Sequence, residues 1–295
     1  MNDYVITCCS TADLSKDYFL NRDIKVVYFH FELDGTNYLD DCGESIPPEL
    51  LFEKMNNGAD TKTSQVSVGE YIDFWTEFLD AGLDILHISL SSGLSGSYNS
   101  AVVAKNFLSD KYPDRKVYVV DSLGASSGYG LIMDTLADMR DDGKGVDELH
   151  DWIEENKLRM HHWFYSTDLS FYIRGGRISK PAGMFGQLLS ICPLLNMDNK
   201  GHLMPREKVR GKTKIMKRAL DMMEMHADGG RAYSGKCFMC HSMCMDEARE
   251  LADMIMEHFP DLDGQVMIYP IGATIGSHTG PGTISIFFWG DIRND

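Results

Sequence analysis

The sequence predicts an α/β protein of two α/β domains, the first built on a mostly parallel sheet. Strand and helix patterns alternate from residue 4 to about 141, the rhythm of helices packed over a parallel sheet. The runs "LDILHISL" (83–90) and "KVYVVDS" (116–122) are apolar with little alternation, as strands covered on both faces are. After about residue 155 the rhythm changes, which places a boundary between 150 and 165 and divides 1–157 from 158–295.

"YVITCCS" (4–10) reads as a short apolar strand and "SKDYFLNRD" as a brief helix. "IKVVYFHFELDGTNYLD" reads as a strand pair around the Asp34-Gly35 turn signal. "IPPELLFEKMNNG" has prolines in its first turn and a glycine stop, a helix signature. Ser67 followed by Glu70 forms a capping box, so a helix begins just after "TSQ". "SYNSAVVAKNFLSDKY" and "SSGYGLIMDTLADMRDDG" are the helices after the two buried strands. The second half opens with the strand "HHWFYSTDL" and the basic turn "YIRGGRISKP". "AGMFGQLLSIC" follows as an apolar helix, and "PLLNMDNKGHLMPREKVRG" as a hairpin about Asn199-Lys200-Gly201. An amphipathic helix in "KTKIMKRALDMMEMHAD", the strand "KCFMCHS", a helix over 245–259, and the strands "QVMIYPIG" and "GTISIFFWG" complete it.

The net charge of −16 over 295 residues repels phosphate backbones and anionic membrane surfaces, so nucleic-acid binding and stable membrane insertion are not expected. No apolar window has the length to span a bilayer, and "MNDYVITCCSTADLSKD" lacks the form of a signal peptide. A cytoplasmic protein with reduced thiols is expected, since the seven cysteines are odd in number and Cys8 and Cys9 are adjacent. "CFMCHSMC" spaces Cys237, Cys240, His241 and Cys244 like half of a metal site, but no second Cys/His pair follows. It reads as core, and no metal ion or cofactor is expected. The 18 methionines fall mostly at helical spacing and also read as core.

"TKTSQVS" (61–67), "SSGLSGSYNS" (91–100) and "IGATIGSHTGPGT" (271–283) each combine hydroxyl side chains with glycines or a capped helix. The first two lie at strand ends or helix N-termini, where open parallel sheets bind ligands. Unpaired N–H groups there hold an anion without Lys or Arg. "GLSGS" (93–97) approaches the nucleophile elbow G-x-S-x-G, with Ser95 central and His278 as a base, but its last glycine falls one place early. A serine-dependent acyl hydrolase is therefore the alternative reading. "RGKTK" (210–214) lacks the upstream glycine of a nucleotide-binding loop.

"TSQVS", "SSGLSGSYNSA", "VDS", "DLSFYIRGGRIS" and "IGATIGSHTGPG" occur in the order and at the spacing of the DegV family of bacterial fatty-acid-binding proteins, which the chain resembles over essentially its whole length. Val66 departs from the family, which usually has proline after "TSQ". The resemblance implies the two-domain DegV (EDD) fold with a long-chain fatty acid, such as palmitate, stearate or oleate, buried between the domains. It implies a head-group site of Thr63, Ser64, Ser92, Ser95, Gly96, His278 and Thr279. It implies a non-catalytic carrier that presents the carboxyl group to a separate fatty acid kinase. The concentrated positive residues, Arg174 and Arg177 in "RGGR" and Arg210 and Lys212 in "REKVRGKTK", would then be a docking surface for that kinase or contacts around the head-group entrance.

Overall fold

The computed structural model describes residues 3–179 and 191–294. Strands β1 (Tyr4–Cys9), β2 (Ile24–Val27), β6 (Asp84–Ser89) and β7 (Val117–Asp121) form a sheet of order β2-β1-β6-β7. All of its pairings are parallel. Every residue of β1 is buried, because helices cover both faces. Helices α3 (Val68–Asp80) and α4 (Ser97–Lys111) pack on one side. Helices α5 (Ser126–Asp141) and α6 (Val146–Asn156) pack on the other.

The local signals hold where the structure-determining contacts are local. Ser67 caps α3, with both hydrogen bonds of the capping box formed to Glu70. Pro47 and Pro48 begin helix α2 (Pro48–Asn56). Asp34 and Gly35 both adopt positive φ (49° and 82°), the backbone of a two-residue hairpin turn. They join β3 (His30–Leu33) to β4 (Thr36–Leu39). The expected strand pair over 24–40 is corrected in one respect. Its first strand is two: β2 joins the parallel sheet, while β3 pairs with β4 and with β5 (Thr61–Ser64) in a separate antiparallel sheet.

The second half builds one six-stranded sheet of order β10-β9-β8-β13-β11-β12. Its strands are β8 (Met160–Ser166), β9 (Ile191–Met197), β10 (Leu203–Arg210), β11 (Phe238–His241), β12 (Met267–Pro270) and β13 (Thr283–Trp289). Only the β11–β12 pairing is parallel. Two helices, α8 (Lys212–His226) and α9 (Met245–His258), cover one face. The short α1 (Lys16–Asn21), α7 (Ser170–Arg174) and α10 (Ala273–Thr279) complete the described helices. α10 falls in a segment read for its hydroxyls and glycines and assigned no element of its own. Most of the apolar helix expected over 182–192 lies outside the described residues, and its last two, Ile191 and Cys192, belong to β9.

α5 is the hinge of the packing. Twelve of its sixteen residues are buried, because it touches β1 on one side and β8, β11 and β13 on the other. One core therefore runs from Leu86 and Tyr129 through to Phe238 and Phe287. A second fills the space between the six-stranded sheet and α8 and α9, with Met216, Met223, Leu251 and Phe288. Cys237, Cys240 and Cys244 sit in these cores as free thiols. Their Sγ atoms meet Phe238 O, Ser126 Oγ and Thr283 O respectively and form no metal cluster among the described residues. No described helix is long and apolar enough to cross a membrane.

Buried His87, His161 and His162 and half-buried His278 are held neutral. Burial lowers the pKa of His87 to about 3 and of His161 and His278 to about 4, and puts His162 well below the usual value. His162 donates from Nδ1 to Met160 O and accepts at Nε2 from Ala125 N–H, which leaves no room for a second proton. The unfolded chain takes up these protons near pH 6.5, while the folded chain resists until pH 4 or below. Stability is thus full above about pH 6.5 and is lost as pH falls toward about 4. Thermal unfolding across this window is expected to show a Tm that declines with acidification and is nearly level between pH 7 and 8.

Candidate functional site

A cavity of about 250 Å³ lies at the seam between the two halves. Its walls are largely apolar, including Phe29, Leu90, Phe164, Met197, Ile271 and Phe287. Part of its polar lining comes from four segments.

The first is β5. Strand alternation points Thr63 and Ser64 to opposite faces. Thr63 lines the cavity, whereas Ser64 is exposed and does not. The second is the loop after β6, "SSGLSG", whose Ser95 and Gly96 line the cavity and whose Ser92 is exposed. Ser92 N–H donates to Asp121 Oδ1, which turns that residue away. Ser64 and Ser92, expected at the head-group site, are therefore not brought to it. The third segment follows α7 and brings Arg177. The fourth is α10, which brings His278 and Thr279.

The loop is fixed from three sides. Ser91 Oγ donates to Gly201 O in the β9–β10 turn at 2.9 Å. That turn passes so close that a Cβ on Gly93 would lie 2.8 Å from Gly201 O, which is why a glycine stands there. Arg177 Nη2 donates to Leu94 O at 2.9 Å. Gln65 Nε2 donates to Ser100 Oγ at 2.9 Å, and its carbonyl oxygen lies against Gly96. Gln65 also lines the cavity. The sequence reading did not name Gln65, and for Arg177 it left kinase docking and contacts around the head-group entrance both open. The signal available for Gln65 was its place in "TSQ", one residue past two hydroxyls and in phase with Thr63.

Thr63 Oγ1 and His278 Nε2 are 2.8 Å apart. His278 Nδ1 is buried without a partner and packs against Gly175, whose Cβ, if it had one, would sit 2.2 Å away. A buried N–H without an acceptor costs more than an idle lone pair, so we assign the proton to Nε2, donating to Thr63. Burial first, and the Arg177 charge second, hold the imidazole neutral. Thr63 then has its own hydroxyl proton free for the cavity. Ser95 Oγ accepts from Ser97 N–H at 3.2 Å and likewise keeps its proton free. Thr279 Oγ1 is buried and unpartnered.

Of the two roles open for Arg177, its half-buried side chain fits the head-group entrance, since it lines the cavity. It donates to the Gly175 and Leu94 carbonyls and makes no ion pair with a carboxylate among the described residues. Burial lowers its pKa, the mark of a charge short of compensation. No acidic side chain lines the cavity among the described residues. Hydroxyl protons from Thr63, Ser95 and Thr279, with the Arg177 guanidinium in the same cavity lining, are chemically suited to an anionic oxygen group. The apolar part of the lining is suited to a hydrocarbon chain. Ser95 and His278 share no hydrogen bond, since Thr63 occupies the imidazole that a hydrolase would direct at its serine.

The remaining docking candidates lie outside the cavity. Arg174 is exposed, with its guanidinium over the Phe171 ring at 4.8 Å. Arg210 is exposed on β10. Lys212 is paired with Glu247 at 2.8 Å, so its charge is partly spent within the protein.

The DegV family model (uncharacterised protein, DegV family) matches residues 4–291. A DegV domain-containing protein of Clostridium perfringens is 37% identical over 293 residues, 99% of each chain. Among solved structures, a DegV family protein from Thermus thermophilus described as fatty-acid binding superposes with a TM-score of 0.86 at 26% identity, covering 99% of this chain and 100% of that one. A stearic acid-binding protein from Eubacterium ventriosum gives 0.86 at 25% identity, covering 97% and 98%. On a match spanning both halves and every segment of the cavity's polar end, the chain belongs to the DegV family.

Proposed function

We propose that this protein binds one long-chain fatty acid, with its tail in the apolar cavity and its carboxylate at Thr63, Ser95, Thr279 and Arg177. The observation that carries this reading is the pairing of a largely apolar cavity with free hydroxyl donors and a guanidinium that lacks a carboxylate partner among the described residues. The fatty acids bound by the Thermus and Eubacterium proteins support it. The energetics divide the labour. Burial of a methylene contributes about 0.8 kcal/mol, so a tail of some fifteen contributes on the order of 10 kcal/mol. A carboxylate taken from water costs several kcal/mol unless it is hydrogen-bonded. The tail supplies affinity, and the head-group site offsets desolvation and sets orientation.

The same reading makes the protein a carrier that presents the carboxylate to a separate kinase. There a carboxylate oxygen attacks the γ-phosphorus of ATP, the bond to ADP breaks, and an acyl phosphate forms. Arg174 and Arg210, exposed and without ion pairs among the described residues, are the docking residues this reading retains. The hydrolase alternative would need Ser95 to engage His278 in place of Thr63.

Lipid extraction from the purified protein followed by mass spectrometry is expected to yield about one intact fatty acid per chain. Thr63→Ala and Ser95→Ala should each weaken binding by roughly 1–3 kcal/mol, about 5- to 150-fold, with folding retained. Unchanged occupancy in both variants would sink the head-group assignment. Turnover of a chromogenic acyl ester that disappears in Ser95→Ala would instead establish the hydrolase. Gly175→Ala should drive a methyl into His278 and lower affinity without touching any ligand-facing donor. Arg174→Glu with Arg210→Glu should impair phosphorylation by a kinase partner while fatty acid binding stays at the wild-type level; equal loss of both would contradict docking there.

A further inference from the structure

On the opposite face of β8 from the cavity, a second constellation is assembled. His162 lines the cavity, so its neighbour His161 points to the other side of the sheet. There His161 Nε2 lies 2.9 Å from Asp291 Oδ1 and 2.9 Å from the Asp291 carbonyl oxygen. His226 Nδ1, at the end of α8, lies 3.2 and 3.4 Å from the two Asp291 carboxylate oxygens. One ligand atom from each of His161, His226 and Asp291 falls within 4.8 Å of the others.

The frame around these side chains is rigid. The His161 ring is stacked between Phe288 (5.3 Å, 4°) and His226 (5.0 Å, 21°), and Trp163 stacks on His226 (5.6 Å, 20°). Asp291 N–H donates to His226 O at 2.9 Å, which joins the backbones of two of the three residues. Gly290 passes so close to this helix end that a Cβ there would lie 2.0 Å from His226 O. Arg159 Nε donates to Gly290 O, and its Nη2 reaches both oxygens of Asp228. The nearby Arg293 guanidinium is turned to the carbonyls of Met197, Asp198 and Leu123.

We propose that His161, His226 and Asp291 form a binding site for one divalent first-row transition metal ion, of which Zn²⁺ is the representative. Two imidazole nitrogens and one carboxylate oxygen suit such an ion and not Mg²⁺ or Ca²⁺, which require sets of oxygen ligands. Asp291 is exposed, so solvent reaches the site and water can fill the remaining positions. The sequence reading expected no metal, because it weighed only the cysteine-rich "CFMCHSMC". These ligands are spread over 130 residues with no local spacing to reveal them. Bound metal would clip β8, the end of α8 and the segment after β13 together, apart from the fatty acid cavity.

The test is isothermal titration of the metal-stripped full chain with Zn²⁺, alongside His226→Gln and Asp291→Asn, each verified as folded by its unfolding curve. The wild-type chain is expected to bind one Zn²⁺ with a higher Tm, and each variant at least about tenfold more weakly, with fatty acid occupancy unchanged. On the unsubstituted chain, paramagnetic Co²⁺ should shift the His161 and His226 imidazole resonances before those of the remaining histidines. No binding by the wild-type chain, equal stoichiometry and affinity in either variant, or first perturbation of other histidines overturns the proposal.

Discussion

The cavity depends on one long-range interaction, the carboxylate of Asp40 at the start of α10. Asp40 is 3% exposed. Its Oδ1 accepts from Ala273 N–H at 3.1 Å and its Oδ2 from Thr274 N–H at 3.2 Å, across more than 230 residues of sequence. A seven-residue helix containing glycine has little stability of its own, so α10 exists because its first turn is satisfied and its sides are packed. Those sides touch α2, β3, β5 and α7. The opposite end of the helix then delivers His278 to Thr63. Asp13 lies beside Asp40, and burial with this like charge raises the Asp13 pKa well above the usual carboxylate range. The protein tolerates that cost where a C-terminal helix must be held to an N-terminal frame.

α5 imposes the complementary constraint. It lies between two sheets of different topology and must approach both closely. A Cβ on Gly128 would fall 2.3 Å from His162 Nε2, and one on Gly130 would fall 2.7 Å from Ala12 O. Hydrogen atoms at these positions let the halves close on the helix. Its solvent-facing end is fixed by charge. Asp134 is 1% exposed, yet it meets Lys236 at 2.6 Å and Arg22 at 3.3 Å, and Asp138 shares both cations. A buried carboxylate is tolerable only with such partners, and here they come from both halves of the chain. The seam that opens into a cavity at one end is therefore tied by ions at another.

This architecture explains what could and could not be read from the sequence. The capping box of Ser67 and Glu70, the Asp34-Gly35 turn and the buried runs of β6 and β7 depend on residues a few positions apart, and each was legible. The division of 24–40 between two sheets was not, since β2 and β3 are assigned by strands distant in sequence. α10 was hidden because Gly272, Gly276 and Gly280 read as turn glycines, while the cap that makes it a helix is Asp40. At the site, the segments carrying Thr63, Ser95 and His278 were legible as hydroxyl- and glycine-rich stretches. The orientation of single side chains was not. Ser64 shares a segment with Thr63 but faces the other way, and for Arg177 the sequence could not choose between a docking surface and the head-group entrance until α7 turned it inward.

That inward turn settles how the loop after β6 can work without a charge of its own. A lysine in "SSGLSG" would be drawn to water or to one of the many acidic side chains of this chain, and would need rotamer entropy to be held. Arg177 avoids both. Its guanidinium is clamped by the Leu94 and Gly175 carbonyls, which satisfy its donors without neutralising it. The loop contributes the backbone that anchors the charge and the Ser95 hydroxyl that shares its target. Hydroxyl donors are weaker than ionic ones, so on the proposed reading the head group would be oriented more than trapped. On the proposed reading, with the affinity placed in the tail, the carboxylate would keep an oxygen lone pair available for chemistry done by another protein, which a tight bidentate ion pair on both oxygens would have withdrawn.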